Sequence, residues 1–228
     1  GGVLGYGWGR TNNSSVSLKL TNISSSANVL GVNAVGGLAG QIQFGNITLS
    51  STTGTVTSVA QTNISSVYRT GGLVGYLNSS NSEISNSNHT IGLVKGFNYV
   101  GGLAGEAYGQ LGVNVSANST PTYNTFVSSN VEGNGERIGG LVGSFVGGSY
   151  ITNAEMTGTV TGWRTAGVPD YTNGGYTGGI GGYVSSTDVK YVRFTGSLVK
   201  GSHQTGGLIG HHDNTINNSY STGEITSN

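Results

Sequence analysis

The chain has 228 residues, of which 43 are glycine, two are proline and none is cysteine, and its nine acidic residues balance its nine lysines and arginines. The low proline content and the lack of a three-residue period exclude collagen, the few charges and many β-branched residues argue against disorder, and the missing cysteines exclude disulfides and thiolate chemistry. The charges form no basic stripe and no apolar run approaches the ~20 residues that span a bilayer, so we expect neither a nucleic-acid partner nor membrane insertion in this segment.

A five-residue phrase, Gly-Gly-Leu-Val-Gly or a close variant, recurs along the chain at intervals of 28 to 39 residues. Its seven copies begin at Gly1, Gly36, Gly71, Gly101, Gly139, Gly178 and Gly206. A period of this length is typical of stacked repeats, in which each copy is one structural unit. We therefore predict a single repeat domain over residues 1–228. Because the chain opens inside a repeat, we expect it to be a mature form or a segment of a longer chain.

Two further anchors follow the phrase in most copies. The first is Ile-x-Asn-Ser and the second is Thr-Gly-x-Val, so that the stretch from Ile151 to Val160 aligns without gaps with the stretch from Ile216 to Ile225. No segment shows helical apolar spacing, and short stretches alternate as strands do. The sequence predicts an all-β fold, a parallel β-helix or β-solenoid of about seven rungs with roughly three short strands per rung.

Two positions around the glycine pair are predicted to face the core. One is the aliphatic position of the phrase, a predicted core ladder of Val3, Leu38, Leu73, Leu103, Leu141, Ile180 and Leu208. The other is the β-branched residue before the pair. Because these positions are three residues apart, we predict a glycine bulge or tight corner between them, since Gly accepts positive φ and brings no side chain. The residue two before the pair is mixed and often polar, which predicts a solvent-facing position.

The order of the phrase, Ile-x-Asn-Ser and Thr-Gly-x-Val resembles the GLUG repeat. The resemblance covers essentially the whole chain and is best in the copies that start at Gly71, Gly139 and Gly206, whereas Gly181 departs from it. It implies a β-solenoid of the kind found in large secreted or surface-displayed proteins, including haemagglutinin-like adhesins, and it brings no catalytic residue and no cofactor. We therefore expect a non-catalytic protein at the cell surface, a rigid rod for adhesion or spacing.

Two other functions are compatible with the residues. Open sheet edges at the ends of a solenoid favour a filament, in which the chain is its own partner by end-to-end or lateral assembly. A carbohydrate-active enzyme is the third, remote alternative. Such enzymes need two carboxylates about 5–10 Å apart. The acids nearest in sequence or alignment are Glu132 with Glu136 and Glu155 with Glu224, and they are dispersed, which argues against an enzyme. For the adhesive reading the partner is a host or matrix glycan or a surface protein.

Two insertions interrupt the repeats, at residues 106–122 and 162–177. Insertions in a solenoid become outer loops, and loops often carry binding. We predict that the second insertion is a binding loop for sugar rings, whose C–H faces and hydroxyls its aromatic and polar side chains would recognise. These side chains are Trp163, Arg164, Asp170, Tyr171 and Tyr176.

The cluster of His211, His212 and Asp213 has the residue types of a metal site. Neighbouring strand residues point to opposite faces, however, so we predict a solvated turn and no metal.

Sequons for N-glycosylation are frequent in this Asn-, Ser- and Thr-rich chain. They are found at Asn12, Asn13, Asn22, Asn46, Asn63, Asn78, Asn88, Asn114, Asn118 and Asn217. Most lie in the first half. If they are glycosylated, the second half is predicted to be the bare, contact-making half.

Overall fold

The computed structural model describes residues 1–9, 18–59, 68–114, 120–163 and 175–227. Over these ranges the chain consists of short strands and turns, and each strand pairs in parallel with its counterparts in the neighbouring repeats. The predicted all-β parallel solenoid of about seven rungs is therefore confirmed. The described ranges contain no helix that is long and apolar enough to cross a membrane.

Seven coils, each one turn of the solenoid, follow one another along the chain. Coil 1 contains β1 (Leu4–Trp8), β2 (Leu18–Thr21), β3 (Ser24–Ser25) and β4 (Val29–Gly31). Coil 2 contains β5 (Ala34–Gly36), β6 (Ala39–Gln43), β7 (Gly45–Thr48), β8 (Ser51–Thr52) and β9 (Val56–Ser58). Coil 3 contains β10 (Arg69–Gly71), β11 (Val74–Leu77), β12 (Glu83–Ser85), β13 (Asn88–His89) and β14 (Leu93–Gly96). Coil 4 contains β15 (Tyr99–Gly101), β16 (Ala104–Ala107), β17 (Gln110–Leu111), β18 (Thr125–Val127) and β19 (Asn130–Gly133).

The last three coils have the same plan. Coil 5 contains β20 (Arg137–Gly139), β21 (Val142–Val146), β22 (Tyr150–Met156) and β23 (Val160–Gly162). Coil 6 contains β24 (Tyr176–Gly178), β25 (Gly181–Ser185), β26 (Asp188–Phe194) and β27 (Leu198–Gly201). Coil 7 contains β28 (Gln204–Gly206), β29 (Ile209–His212), β30 (Ile216–Asn217), β31 (Tyr220–Ser221) and β32 (Glu224–Ser227).

Four parallel sheets run the length of the rod. The first sheet joins β5, β10, β15, β20, β24 and β28, and the second joins β1, β6, β11, β16, β21, β25 and β29. The third sheet has two columns of short strands, which β22 and β26 bridge, and the fourth joins β4, β9, β14, β19, β23, β27 and β32. Each coil therefore contributes four or five strands where the sequence predicted about three. The additional strands arise because the glycine pair and the Asn corner each divide one predicted piece in two.

The aliphatic position of the phrase lies at the centre of the rod in the inner coils. Leu38, Leu73, Leu103, Leu141 and Ile180 are fully buried. Their backbones are also linked from coil to coil, since the N–H of Leu73 donates to the carbonyl of Leu103 over 2.9 Å. Leu208 is only half-buried, and the inward prediction is wrong for Val3, which is 52% exposed because its coil is covered on one side only.

The glycine pair does not take the predicted positive φ. Among the described glycines only Gly109, Gly112 and Gly147 do so, and none of these belongs to the phrase. The pair is required for another reason. A Cβ on Gly71 would overlap the carbonyl oxygen of Val74 and lie 2.7 Å from the Cα of Ala104 in the next coil. Adjacent backbones thus approach so closely at this corner that no side chain fits.

The Asn of the second anchor occupies the corner between the two columns of the third sheet. This corner has positive φ in six coils, at Asn22, Leu49, Asn86, Asn153, Tyr191 and Asn218, whereas in coil 4 the positive φ falls one residue earlier, at Gly112. Asn and Gly are the residues that adopt this left-handed conformation most readily. The second anchor is therefore a conformational requirement of the turn.

The Gly of Thr-Gly-x-Val also marks a close approach. A Cβ on Gly158 would overlap the carbonyl oxygen of Ser129 in the preceding coil. The following valine then begins the fourth sheet and points inward, as Val56, Val160 and Val199 do.

Candidate functional site

Two columns of outward side chains run side by side along the rod, one on each side of the glycine corner. The first-sheet column lies two residues before each glycine pair, where Arg69, Tyr99, Arg137 and Tyr176 are in register in consecutive coils. The second-sheet column is formed by the residue directly after each phrase, in the order Tyr6, Gln41, Tyr76, Glu106, Ser144, Tyr183 and His211. We call the two columns together the aromatic–arginine strip.

In coils 3 and 4 the positive charge of the strip, that of Arg69, is neutralised. The Nε of Arg69 donates to Oε2 of Glu106 in the next coil. The guanidinium also lies over the ring of Tyr76, 4.0 Å from its centroid, and Tyr76 contacts Tyr108 edge-on. The Glu106 carboxylate is 7% exposed, so this ion pair is largely shielded from water.

In coils 4 to 6 the positive charge of the strip, that of Arg137, lies between two tyrosines. The guanidinium carbon of Arg137 is 4.7 Å from the ring centroid of Tyr99 and 4.2 Å from that of Tyr183. Nη1 donates to the hydroxyl of Ser144 over 2.9 Å. The Nε atom is buried and makes no hydrogen bond, and Arg137 takes part in none of the ion pairs between described residues. Its positive charge therefore has no carboxylate counterpart within ion-pair distance there.

Aromatic rings continue the strip into the last two coils. The imidazole of His211 stacks on Tyr183 with their centroids 4.8 Å apart and their planes 3° from parallel. The ring of Tyr176 lies beside both, 5.6 Å from Tyr183 and 5.1 Å from His211. All three side chains are half-buried, so they present part of their surface to solvent.

The phenol groups of Tyr76 and Tyr99 in the strip keep their protons at neutral pH. Burial and the nearby Glu106 raise the pKa of Tyr76 to about 12. Burial also raises the pKa of Tyr99, although the positive charge of Arg137 opposes this. The hydroxyls are therefore available both to donate and to accept hydrogen bonds.

The dispersed acids are not brought together. Glu132 pairs with Lys95 over 3.1 Å, and Glu155 pairs with Arg193 over 2.8 Å. Glu155 belongs to β22 in the third sheet and Glu224 to β32 in the fourth, so the two are on different faces of the rod. Burial raises the pKa of Glu136, which Arg137 partly offsets.

The predicted binding loop is divided by the fold. Trp163 follows β23 of the fourth sheet, is 50% exposed and has the Lys200 ammonium 5.3 Å from its ring centroid. Tyr176 is in β24 of the first sheet and belongs to the strip. Arg164, Asp170 and Tyr171 lie outside the described residues. The other insertion, predicted at residues 106–122, falls between β17 and β18, inside the third sheet.

The predicted divergence of the two histidines is what the fold produces. His211 stacks on Tyr183, whereas Nδ1 of His212 lies 3.1 Å from the carbonyl oxygen of Val184. Asp213 accepts hydrogen bonds from the Ser185 hydroxyl and the Ser186 N–H, each over 2.7 Å. Within the described part of the chain no cluster of three or more His, Cys, Asp or Glu residues is placed to hold a metal ion.

The described sequons differ in accessibility. Asn22, Asn114 and Asn217 are exposed, while Asn46, Asn78 and Asn88 are half-buried. Asn12, Asn13, Asn63 and Asn118 lie outside the described residues.

Sequence reasoning missed the strip because it considered its two columns separately. The residue two before each pair was predicted to face solvent, and the residue after each phrase was not considered. Alignment of the seven copies carries the signal, since Tyr occurs three times and Glu and His once each after the phrase, and Arg and Tyr each occur twice before it.

Comparison with protein families finds the GLUG motif at residues 201–226. The predicted GLUG repeat is thereby confirmed for this segment, which begins at the end of β27 and extends through coil 7 into β32. Comparisons with curated proteins and with solved structures found no match.

Proposed function

We propose that this chain, which carries a GLUG motif at residues 201–226, is a non-catalytic, extracellular repeat protein whose rigid solenoid mediates adhesion to glycans. The observation that carries the proposal is the aromatic–arginine strip. It presents partly exposed tyrosines in coils 1, 3, 4 and 6, interspersed with other residues in each column, on a scaffold that fixes their spacing.

Rigidity supports this function. The coils are joined by parallel backbone pairing in four sheets and by side-chain hydrogen bonds between equivalent positions, such as Thr21 with Thr48 over 3.0 Å and Ser24 with Ser51 over 3.1 Å. A site built on such elements is pre-organised, so that binding orders few side chains and loses little entropy.

The chemistry of the strip suits sugar rings. Tyrosine combines an apolar face with a hydroxyl that hydrogen-bonds, which matches a pyranose with its C–H faces and rim of hydroxyls. Successive coils repeat at about 4.8 Å, so an extended oligosaccharide lying along the rod can meet equivalent side chains in several coils. A rod that serves only as a spacer has no need of partly exposed aromatic residues along one edge.

Adhesion is tested with the purified chain on an array of immobilised oligosaccharides. We expect retention that Tyr183→Ala weakens, while Tyr220→Ala, which removes an exposed tyrosine (46% exposed) from the third sheet, leaves it unchanged. Trp163→Ala reports separately on the predicted loop. If no oligosaccharide is retained, the adhesive function is wrong and the rod serves spacing alone.

The other two parts of the proposal have their own measurements. Incubation with each retained polysaccharide should release no reducing ends, and release would overturn the non-catalytic assignment. Antibody labelling of intact source cells should detect the chain at their surface, whereas signal only after lysis would contradict an extracellular location.

A further inference from the structure

Arg69 and Arg137 occupy the same position of the repeat but have different surroundings. Arg69 lies in coil 3 and Arg137 in coil 5, with Tyr99 of coil 4 between them in the first-sheet column. In the coil after Arg69 the adjoining residue of the strip is Glu106, which forms an ion pair with it. In the coil after Arg137 the adjoining residue is Tyr183, whose ring lies against the guanidinium. One arginine thus forms an ion pair within the chain, whereas the other forms none with the described residues, although the Glu136 carboxyl is near enough to interact with its charge.

The site around Arg137 suits a single anionic group. The two tyrosines hold the guanidinium between their rings, and Ser144 fixes Nη1 through its hydroxyl. The Nε atom is buried and closed to an external ligand. The remaining nitrogen, Nη2, makes no hydrogen bond to the described residues and is the donor left for an anion. A guanidinium forms strong charge-assisted hydrogen bonds to carboxylate and sulfate oxygens.

We propose that Arg137, held between Tyr99 and Tyr183, binds the carboxylate or sulfate group of an acidic sugar chain. This inference rests on the proposed adhesion to glycans and specifies the class of glycan. The anionic group takes the guanidinium edge, while Tyr176 on the next coil offers its partly exposed ring to the neighbouring sugar.

The charge of the strip separates this ligand from a nucleic acid. Polyphosphate backbones are bound by several lysines and arginines at once. Here Arg69 is neutralised by Glu106, so Arg137 is the arginine of the strip without an ion-pair partner among the described residues. One such arginine among tyrosines fits a chain with one anionic group per recognised sugar.

Three probes of similar length test the site by calorimetric titration of the whole chain: an oligogalacturonate with carboxylates only, a carrageenan oligosaccharide with sulfate groups only and neutral cello-oligosaccharide. We expect an acidic probe to bind and Arg137→Gln to weaken it roughly 10- to 100-fold, the range of a charge-assisted hydrogen bond. Lys95→Gln is the matched control, since it removes one positive charge from the fourth sheet at a side chain that is 57% exposed. The two acidic probes show whether carboxylate or sulfate is preferred.

A second pair of variants keeps Arg137 in place. Tyr183→Glu gives it an internal carboxylate like that of Arg69, and should abolish acidic-probe binding. Tyr183→Gln has the same size without the charge and should retain more of the affinity. Thermal unfolding of both variants checks that the coil is intact, and the comparison between them depends on charge alone.

The outcomes separate the two proposals. If the acidic probes bind Arg137→Gln and Tyr183→Glu as tightly as they bind the unchanged protein, the anion site is wrong. If cello-oligosaccharide binds while the acidic probes do not, adhesion stands and the anion site falls. If none of the probes binds and the array retains no other sugar, both proposals are wrong.

Discussion

Single residues at the corners decide how well each coil closes. In the third-sheet corner the chain places Asn in four coils, with Gly112 one residue earlier in coil 4, but Leu49 and Tyr191 in the other two. Both take positive φ, at 51° and 53°, where a side chain without a local hydrogen bond is strained by about 1–2 kcal/mol. At this corner, sequence and backbone therefore disagree at Leu49 and Tyr191.

Leu49→Asn is therefore expected to stabilise the protein by about 1 kcal/mol. Leu49 is 60% exposed, so little apolar burial is lost. Leu30→Asn is the control, because Leu30 is 71% exposed and has an ordinary β conformation. Urea unfolding gives the comparison. A gain at Leu30 equal to that at Leu49 would show that the effect comes from surface polarity and not from φ.

The most unusual buried polar residue is His89, in the inner column of the third sheet. It is fully buried, and its register neighbours are Thr52 and Val127. The Thr52 hydroxyl donates to the carbonyl of Gly72, so it accepts the proton of His89 Nδ1 over 2.8 Å. Nε2 then carries the lone pair and is buried without a partner among the described residues. Burial lowers the pKa of His89 to about 4.

This histidine makes stability depend on pH. Above pH ~6.5 His89 is neutral in both the folded and the unfolded chain, so its protonation does not lower the free energy of unfolding there. As the pH falls from ~6.5 towards 4, the unfolded chain binds a proton that the folded chain does not, and the free energy of unfolding falls by up to roughly 3 kcal/mol.

His89→Val should remove that component, because valine occupies the equivalent position at Val127 and Thr52 keeps its bond to Gly72. Urea unfolding at pH 7 and at pH 4.5 gives the difference for each protein. His203→Val, at an exposed position, is the control. Equal losses on acidification in all three proteins would contradict the assignment to His89.

At the scale of elements, the strands are held in register by serine hydroxyls beside the Asn corner. Ser87 is fully buried, and its hydroxyl donates to the carbonyl of Ser85 over 2.8 Å and accepts from the N–H of Ser50 in the preceding coil over 3.1 Å. Ser50 repeats the arrangement one coil earlier, and Ser219 repeats it in coil 7. The Ser of the second anchor thus joins consecutive coils.

Ser87→Ala should destabilise the protein by about 1–3 kcal/mol, since it leaves the buried N–H of Ser50 without its acceptor. Ser51→Ala provides the comparison, because the Ser51 hydroxyl bonds that of Ser24 at the surface, where water can replace it. Thermal unfolding measures both. If the two variants melt together, the corner serine has no special role in joining the coils.

The sequence predicted the elements better than the strip. A repeated phrase gives the period and the inward aliphatic column, because both depend on local pattern. The corner without side chains at the glycine pair was predicted, but its positive φ was wrong. The close contact of Gly71 with Ala104 is made between coils and cannot be read from a single copy. For the same reason the pairing of Arg69 with Glu106, 37 residues apart in sequence, required the register of the stacked coils.

At the scale of the whole molecule, each coil contacts only the coils beside it, so stability is close to a sum of coil and interface contributions. Central coils are covered on both sides, whereas coil 1 and coil 7 are covered on one. Ile216 and Ile225 of coil 7 are accordingly 42% and 46% exposed, while their counterparts Val189 and Val199 in coil 6 are fully buried. The same substitution should therefore have very different effects along the rod.

Leu141→Asp and Val3→Asp test this at equivalent positions of the phrase. Leu141 is fully buried, and an unpaired carboxylate there costs several kcal/mol, enough to open coil 5 and expose its neighbours. Val3 is 52% exposed, so the carboxylate reaches water and the cost is small. Hydrogen exchange followed by mass spectrometry should show lost protection centred on residues 137–162 for Leu141→Asp and little change beyond coil 1 for Val3→Asp. Uniform loss of protection along the chain in Leu141→Asp would instead mean that the seven coils unfold as one unit, and that coupling between coils exceeds the stability of any single coil.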